Sequence, residues 1–198
     1  MARPRMFDEE RALDAAMHAF WENGYEATST QDLCAATGLG RSSIYNTFAS
    51  KHDLFTRSLN RYIERMTAAQ MEILEDAGQA PLDRIRALLA RTVDTEAGTR
   101  KGGHSRGCLT VNTTVELTGR DPEATRLVER DLAVRLAALT SVIAAGQSNG
   151  SITSKRPPEE LARFLNTVIG GMRVAGQGGA DRTALEATAR VALDALTV

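Results

Sequence analysis

The stretch GYEATSTQDLCAATGLGRSSIYNTFASKHDLF, from Gly24 to Phe55, decides the fold. Thr30 to Thr37 reads as a short helix that turns Leu33 inward. Gly38-Leu39 then makes a tight turn, since glycine accepts the backbone angles that end a helix. Arg41 to Phe48 reads as a second short helix, with Ile44 and Phe48 on its inner side. Two short helices around a glycine turn form a helix-turn-helix. The small Cys34 sits where the two helices approach closely, and Ile44 packs the second helix onto the first. The same pattern also fits a helical hairpin inside a structural bundle with a solvated, charged face.

Working outward, helical periodicity continues on both sides. Leu13, Ala16, Met17, Phe20 and Trp21 share a face before the stop at Asn23-Gly24. From Lys51 to Ala77 no Gly or Pro interrupts, and Leu54, Phe55, Leu59, Tyr62, Ile63 and Met66 recur on one side. That predicts one long helix, capped by Ser50 with Asp53 close to a capping-box arrangement. Pro81 opens a helix carrying Leu82, Ile85, Leu88, Leu89 and Val93, followed by a loose, Gly-rich and basic segment from Gly98 to Gly107. Cys108 to Leu117 is a short helix, and Asp121-Pro122 starts a long one that ends at Asn149-Gly150. Pro157-Pro158 opens the next, with Leu161, Phe164, Leu165, Val168, Ile169 and Met172 on one stripe. The last runs from Asp181 to Leu196. No stretch alternates long enough for a strand, so the fold class is all-α.

Composition narrows the function classes. The 198 residues carry 24 Lys and Arg against 25 Asp and Glu, a net charge of -1, with 42% hydrophobic and 25% charged residues. This is ordinary globular composition and does not suit a disordered chain. The start lacks an apolar leader segment, and Arg135 interrupts the most apolar stretch, Leu132 to Ala145, so no secretory signal and no membrane span is expected. Two cysteines, Cys34 and Cys108, build no disulfide framework, which makes the cytoplasm the expected location. His18, His52 and His104 are scattered. No metal-ligand spacing, Ser-His-Asp set or phosphate loop is present, and Gly102 to His104 is too short for one. No enzyme, metal or cofactor is therefore expected.

Charge divides along the helix-turn-helix. The first helix region carries Asp8, Glu9, Glu10, Asp14, Glu22, Glu26 and Asp32 against Arg11 alone. From Gly40 to Arg65 the balance reverses, with Arg41, Lys51, Arg57, Arg61 and Arg65 against Asp53 and Glu64. A basic side of this kind is what a phosphate backbone requires.

With these pieces placed, the stretch resembles the DNA-binding region of the TetR family of bacterial transcriptional regulators. The resemblance rests on Gly24-Tyr25, Thr28 to Thr30, Leu33, Gly38-Leu39, Ile44-Tyr45, Phe48, Ser50-Lys51 and Leu54-Phe55. It departs at Gly40, where the family commonly has a Ser that caps the recognition helix. It implies a three-helix helix-turn-helix domain over residues 1–53 and a helical effector-binding and dimerisation domain over 54–198. Arg41, Ser42 and Ser43 would open the recognition helix toward base edges, Arg41 having the donors to read guanine. Tyr45, Asn46 and Thr47 would lie on its outer side, within reach of phosphate or a base. Lys51 adds a cation to a helix N-terminus, a phosphate seat. Thr28 and Thr30 flank the first short helix and would touch the backbone from the other side. Arg3 and Arg5 form either an arm that enters the minor groove or a disordered tail.

The C-terminal half is less specific. The last two helices are the expected homodimer elements, through the stripe after Pro158 and the small residues Ala189, Ala192 and Ala195, the alternative being that these stripes only complete the monomer core. In HSRGCLTVNTTVELTGRDPEA, Cys108 opens a helix, below Arg100, Lys101, His104 and Arg106. Gly107 to Val111 is similar to a branch of TetR-like repressors that sense electrophiles and oxidants through a cysteine at this place. Cys108 is thus either a sensing thiol or an inert packed residue. Asn112, Thr113 and Glu116 either line an effector cavity with Met172 or are hydrogen-bonded within the core. The function expected is a homodimeric repressor on a near-palindromic, double-stranded operator, released by a small molecule or by Cys108 modification, with the helix from Lys51 as the lever. The alternative is an effector-independent architectural DNA binder, against which the net charge counts.

Overall fold

The computed structural model describes residues 9–98 and 102–197, and all regular elements among them are α-helices: α1 Glu9–Asn23, α2 Thr30–Thr37, α3 Arg41–Thr47, α4 Lys51–Leu74, α5 Pro81–Gly98, α6 Leu109–Leu117, α7 Pro122–Asn149, α8 Pro158–Gln177 and α9 Arg182–Asp194. Arg3, Arg5, Arg100 and Lys101 lie outside the described residues.

Local chemistry fixes most boundaries. Ser29 caps α2 and Asp32 returns a bond to the Ser29 amide, a reciprocal capping box, while Gly38 in the left-handed region (φ 69°) ends the helix. Ser50 caps α4 through the Asp53 amide, and Asp121 accepts from the amides of Glu123 and Ala124 at the start of α7. α3 begins at Gly40 with no side-chain cap, so its start rests on packing of the buried Ile44. α4 ends at Leu74 rather than Ala77, because Asp76 turns the chain by accepting the Gly78 amide. α9 ends at Asp194 rather than Leu196, whose carbonyl instead accepts the amides of Thr153 and Ser154.

Two apolar clusters hold the helices. The first joins α1 to α3 and the first half of α4 around Phe20, Leu33, Ile44, Phe48, Phe55 and Leu59, and it also takes in Cys108, Leu109, Leu117, Ala124 and Val128. α6 and the first turns of α7 are therefore packed into the helix-turn-helix half, and α4 runs unbroken across residue 53. The second cluster joins α5, α7, α8 and α9 around Leu89, Ile143, Leu165, Met172 and Leu185.

The expected dimer face is redrawn. Ala189 and Ala192 lie in the monomer core, so they do not form an outward small-residue strip. Leu161, Leu165, Ile169 and Met172 likewise face inward on α8. The large apolar side chains that α8 and α9 leave exposed are Phe164, Val174 and Val191.

Candidate nucleic-acid interface and buried thiol cavity

α3 is held by its inner residues and presents the rest. Ile44 and Phe48 are buried, while Arg41, Ser42 and Asn46 are exposed and Ser43, Tyr45 and Thr47 are partly so. The guanidinium of Arg41 lies over the Tyr45 ring at 5.8 Å. The Tyr45 hydroxyl lies 2.9 Å from Thr30 Oγ1, tying α3 to the first residue of α2. Lys51 reaches back to the α1–α2 turn, with Nζ 4.4 Å from the Tyr25 ring centroid and 3.4 Å from the Glu26 carbonyl. The structure thus brings Thr30, Arg41, Tyr45 and Lys51 onto neighbouring elements at one end of the chain.

Thr28 does not share that face. It is fully buried, and its hydroxyl donates to the Gly24 carbonyl, so it closes the turn after α1 instead of reaching toward a phosphate. Arg57, Arg61 and Arg65 also correct the charge reading. Arg57 pairs with Glu9, Arg61 with Glu10 and Asp14, and Arg65 with Asp14 at 2.8 Å. These cations bind α4 to α1, and Arg61 and Arg65 hold the Asp14 carboxyl below its ordinary pKa against a smaller opposing effect of burial. Arg57 also lies 4.7 Å over the Phe48 ring at the end of α3, and from Arg41 to Arg65 the cations outside these ion pairs are Arg41 and Lys51.

The segment after Gly107 joins the two halves. Trp21 Nε1 donates to the Gly107 carbonyl at 3.2 Å, and the Arg106 guanidinium lies 5.9 Å over the indole. His52 Nε2 stands 2.6 Å from Asp121 Oδ2, with Glu123 at 3.8 Å from Nδ1. Burial pushes the Asp121 carboxyl up, and the amides of Ala124 and Glu123 with His52 more than reverse it, leaving the pKa lowered. His52 was invisible as a junction residue in the sequence; its signal was only its place beside Lys51.

Cys108 occupies the N-cap position of α6 and is 8% exposed. Beside it is a cavity of about 20 Å³, which also touches Gln70, Asp131, Arg135 and Arg173. Arg173 is buried and forms a 3.4 Å ion pair with the buried Glu96, which also accepts from the Ser105 hydroxyl. Burial alone lowers the Arg173 pKa, but Cys108, Tyr62, Glu96 and Asp131 carry it above its ordinary value. The Tyr62 phenol, 3% exposed, faces Cys108 and the Leu109 amide without a full hydrogen bond, and burial foremost pushes its pKa well up.

The other expected effector residues are dispersed. Asn112 accepts from Gln177 at 3.1 Å, and Thr113 is buried with no partner for its hydroxyl. Met172 packs in the second apolar cluster and does not line the cavity beside Cys108. Glu116 does not line that cavity: its carboxylate accepts the backbone amides of Tyr25 at 3.0 Å and Glu26 at 2.8 Å. Among the described residues no acidic, His or Cys group is arranged to hold a metal ion, and no helix is long and apolar enough to cross a membrane.

Comparison with known proteins agrees with this geometry. Residues 12–57 match the model of bacterial regulatory proteins of the tetR family, and residues 81–192 match a tetracyclin repressor-like C-terminal domain. The chain is 33% identical over 184 residues to the HTH-type transcriptional repressor ComR of Escherichia coli K12, covering 90% of this chain and 83% of that one. It is 32% identical over 167 residues to the HTH-type regulator YezE of Bacillus subtilis, covering 84% of each. Among solved structures, a cysteine mutant of the TetR-family regulator CifR with 26-base-pair operator DNA superposes with a TM-score of 0.81 at 31% identity, over 98% of this chain and 99% of that one.

Proposed function

This chain belongs to the TetR family of bacterial DNA-binding transcriptional regulators, and on that premise we propose that it is a homodimeric repressor, released from a near-palindromic operator by a small molecule or by modification of Cys108. The observation that carries the reading is the recognition helix: Ile44 and Phe48 anchor α3 while Arg41, Ser42 and Asn46 stand free on its outer side. Arg41 reads a base edge in the major groove, and Ser42, Ser43, Asn46 and Thr47 complete the contact set. Tyr45, Thr30 and Lys51 bind the flanking phosphates.

Two copies are needed, because one short helix reads too few bases for a specific site. Phe164, Val174 and Val191 are the apolar side chains that α8 and α9 leave exposed, and pairing of those helices covers them. Release requires an effector that distinguishes two states of the dimer. Cys108 supports such a role by its position at the opening of α6, against Arg173 and Tyr62.

The test is selection of genomic DNA fragments by the purified protein, followed by titration of the selected site with and without a small thiol-reactive electrophile, in a Cys34→Ser background that removes the more exposed thiol. A palindromic site whose binding collapses with electrophile but survives in Cys108→Ser is the expected result. A palindromic site indifferent to electrophile removes the cysteine route and leaves reversible ligands. Failure to enrich any site overturns the function itself.

A further inference from the structure

α1 ends at Asn23, and Gly24 after it closes its amide on the Phe20 carbonyl while its φ of 81° turns the chain out of the helix. The next two amides, of Tyr25 and Glu26, belong to no helix and so have no intrahelical acceptor. Both donate to the carboxylate of Glu116, from the last turn of α6. A carboxylate accepting two backbone amides is a charge-assisted, two-point bond with a defined direction. The fit is close: a Cβ on residue 24 would stand 3.0 Å from Glu116 Oε2.

The turn so held leads directly into the helix-turn-helix, since Ser29 caps α2 a few residues on. α6 is itself fixed to the other half of the molecule. Gln177, at the end of α8, donates to the Arg106 carbonyl and to Asn112. The DNA-reading half is therefore held through the continuous α4, through His52 of α4 on Asp121 at the start of α7, and through α6, where Glu116 makes the polar contact that reaches the turn before α2. The α4 contacts fix the far side of the module, and the Glu116 clasp fixes the turn that leads into α2.

We infer that Glu116 is a positioning residue for operator recognition: its clasp on the Tyr25 and Glu26 amides sets the orientation of the helix-turn-helix on the effector half, and hence the separation of the two recognition helices in the dimer. This rests on the dimeric operator binding proposed above. It gives Glu116 a task distinct from lining an effector cavity, and it makes α6 the element that carries a displacement at Cys108 to the base of α2. Cys108 and Glu116 stand eight positions apart along α6, a span of about 12 Å at the usual helical rise.

The experiment measures binding of wild type, Glu116→Ala and Glu116→Gln to the selected operator and to versions with the half-sites moved apart or together by one and two base pairs. Wild type should favour the native spacing by about tenfold or more, as expected where half-site separation mirrors a fixed dimer geometry. Glu116→Ala should bind the native spacing about tenfold more weakly, the scale set by one charged hydrogen bond, with the spacing preference reduced to about threefold. Glu116→Gln, which keeps one acceptor oxygen and the side-chain volume, should fall between. Should Glu116→Ala fail to fold by circular dichroism, the Gln series decides alone. An unchanged spacing preference, or an equal loss at every spacing, overturns the assignment. A wild-type protein without any spacing preference overturns the dimeric function on which it stands.

Discussion

Replacing Arg173 by methionine isolates the buried charge cluster beside Cys108. Arg173 is 5% exposed, Glu96 1%, and they face each other at 3.4 Å. Removing one partner of a buried pair leaves the other uncompensated, which costs about 3 kcal/mol or more. For a chain of this size that lowers the melting temperature by about 6–12 °C. The loss should depend on pH. Burial holds the Glu96 carboxyl above its ordinary pKa, while Ser105 and Arg173 pull it down. An acid whose folded pKa is raised binds its proton more tightly when folded. Its penalty is therefore absent below the unfolded pKa and grows as pH rises through the folded value. In Arg173→Met the opposing cation is gone, so the folded pKa moves up further and the penalty extends toward neutrality. Thermal melts should show Arg173→Met closer to wild type at pH 5 than at pH 8. The double variant Arg173→Met/Glu96→Leu should recover most of the loss, because apolar replacement of both partners is often neutral or better. Equal penalties at the two pH values, or a double variant as unstable as the single, would refute the reasoning.

The interface and the thiol give three more tests. Arg41→Ala should cost about 1–3 kcal/mol on the selected operator and little on random DNA, whereas Lys51→Ala should weaken both and flatten the slope of affinity against salt by about one; equal losses on both DNAs for both variants would remove the division of labour. Because the cavity beside Cys108 is about 20 Å³, room for a single water, a maleimide should label the partly exposed Cys34 before Cys108, as peptide mapping of a time course would show, and faster labelling of Cys108 would contradict its burial. Thr28→Val should keep operator contacts but lower stability by about 1 kcal/mol through loss of the hydroxyl bond to Gly24; a specific loss of DNA affinity without a change in melting would restore Thr28 to the interface.

What could be read from the sequence was what neighbours in sequence determine. α2 was legible to the residue because its cap, apolar position and terminating glycine all lie within the same short stretch, from Ser29 to Gly38. α9 was overextended because the partners of the Leu196 carbonyl, Thr153 and Ser154, come from a distant loop. The recognition helix was visible for the same local reasons, while its neighbours on α4 were misread. Arg57, Arg61 and Arg65 look like a phosphate-binding row until α1 folds against them and supplies Glu9, Glu10 and Asp14. Thr28 carries the right chemistry for a phosphate contact, but a hydroxyl has one proton, and the Gly24 carbonyl takes it. Glu116 shows the limit most plainly: its partners lie 91 and 90 residues away and are backbone amides, which no residue pattern marks.

Trp21 is the chain's single tryptophan, and it stands at the junction with its indole bonded to Gly107, one residue before Cys108. Tyr62, beside that same thiol, meets its ring edge-on at 5.0 Å. The protein therefore contains its own optical probe: emission excited at the red edge arises from one fluorophore, whose hydrogen bond and aromatic neighbour both touch the Cys108 end of α6. Quenching or a spectral shift reports on that junction alone, in unlabelled protein, free or on its operator, and on the millisecond scale of a stopped-flow trace.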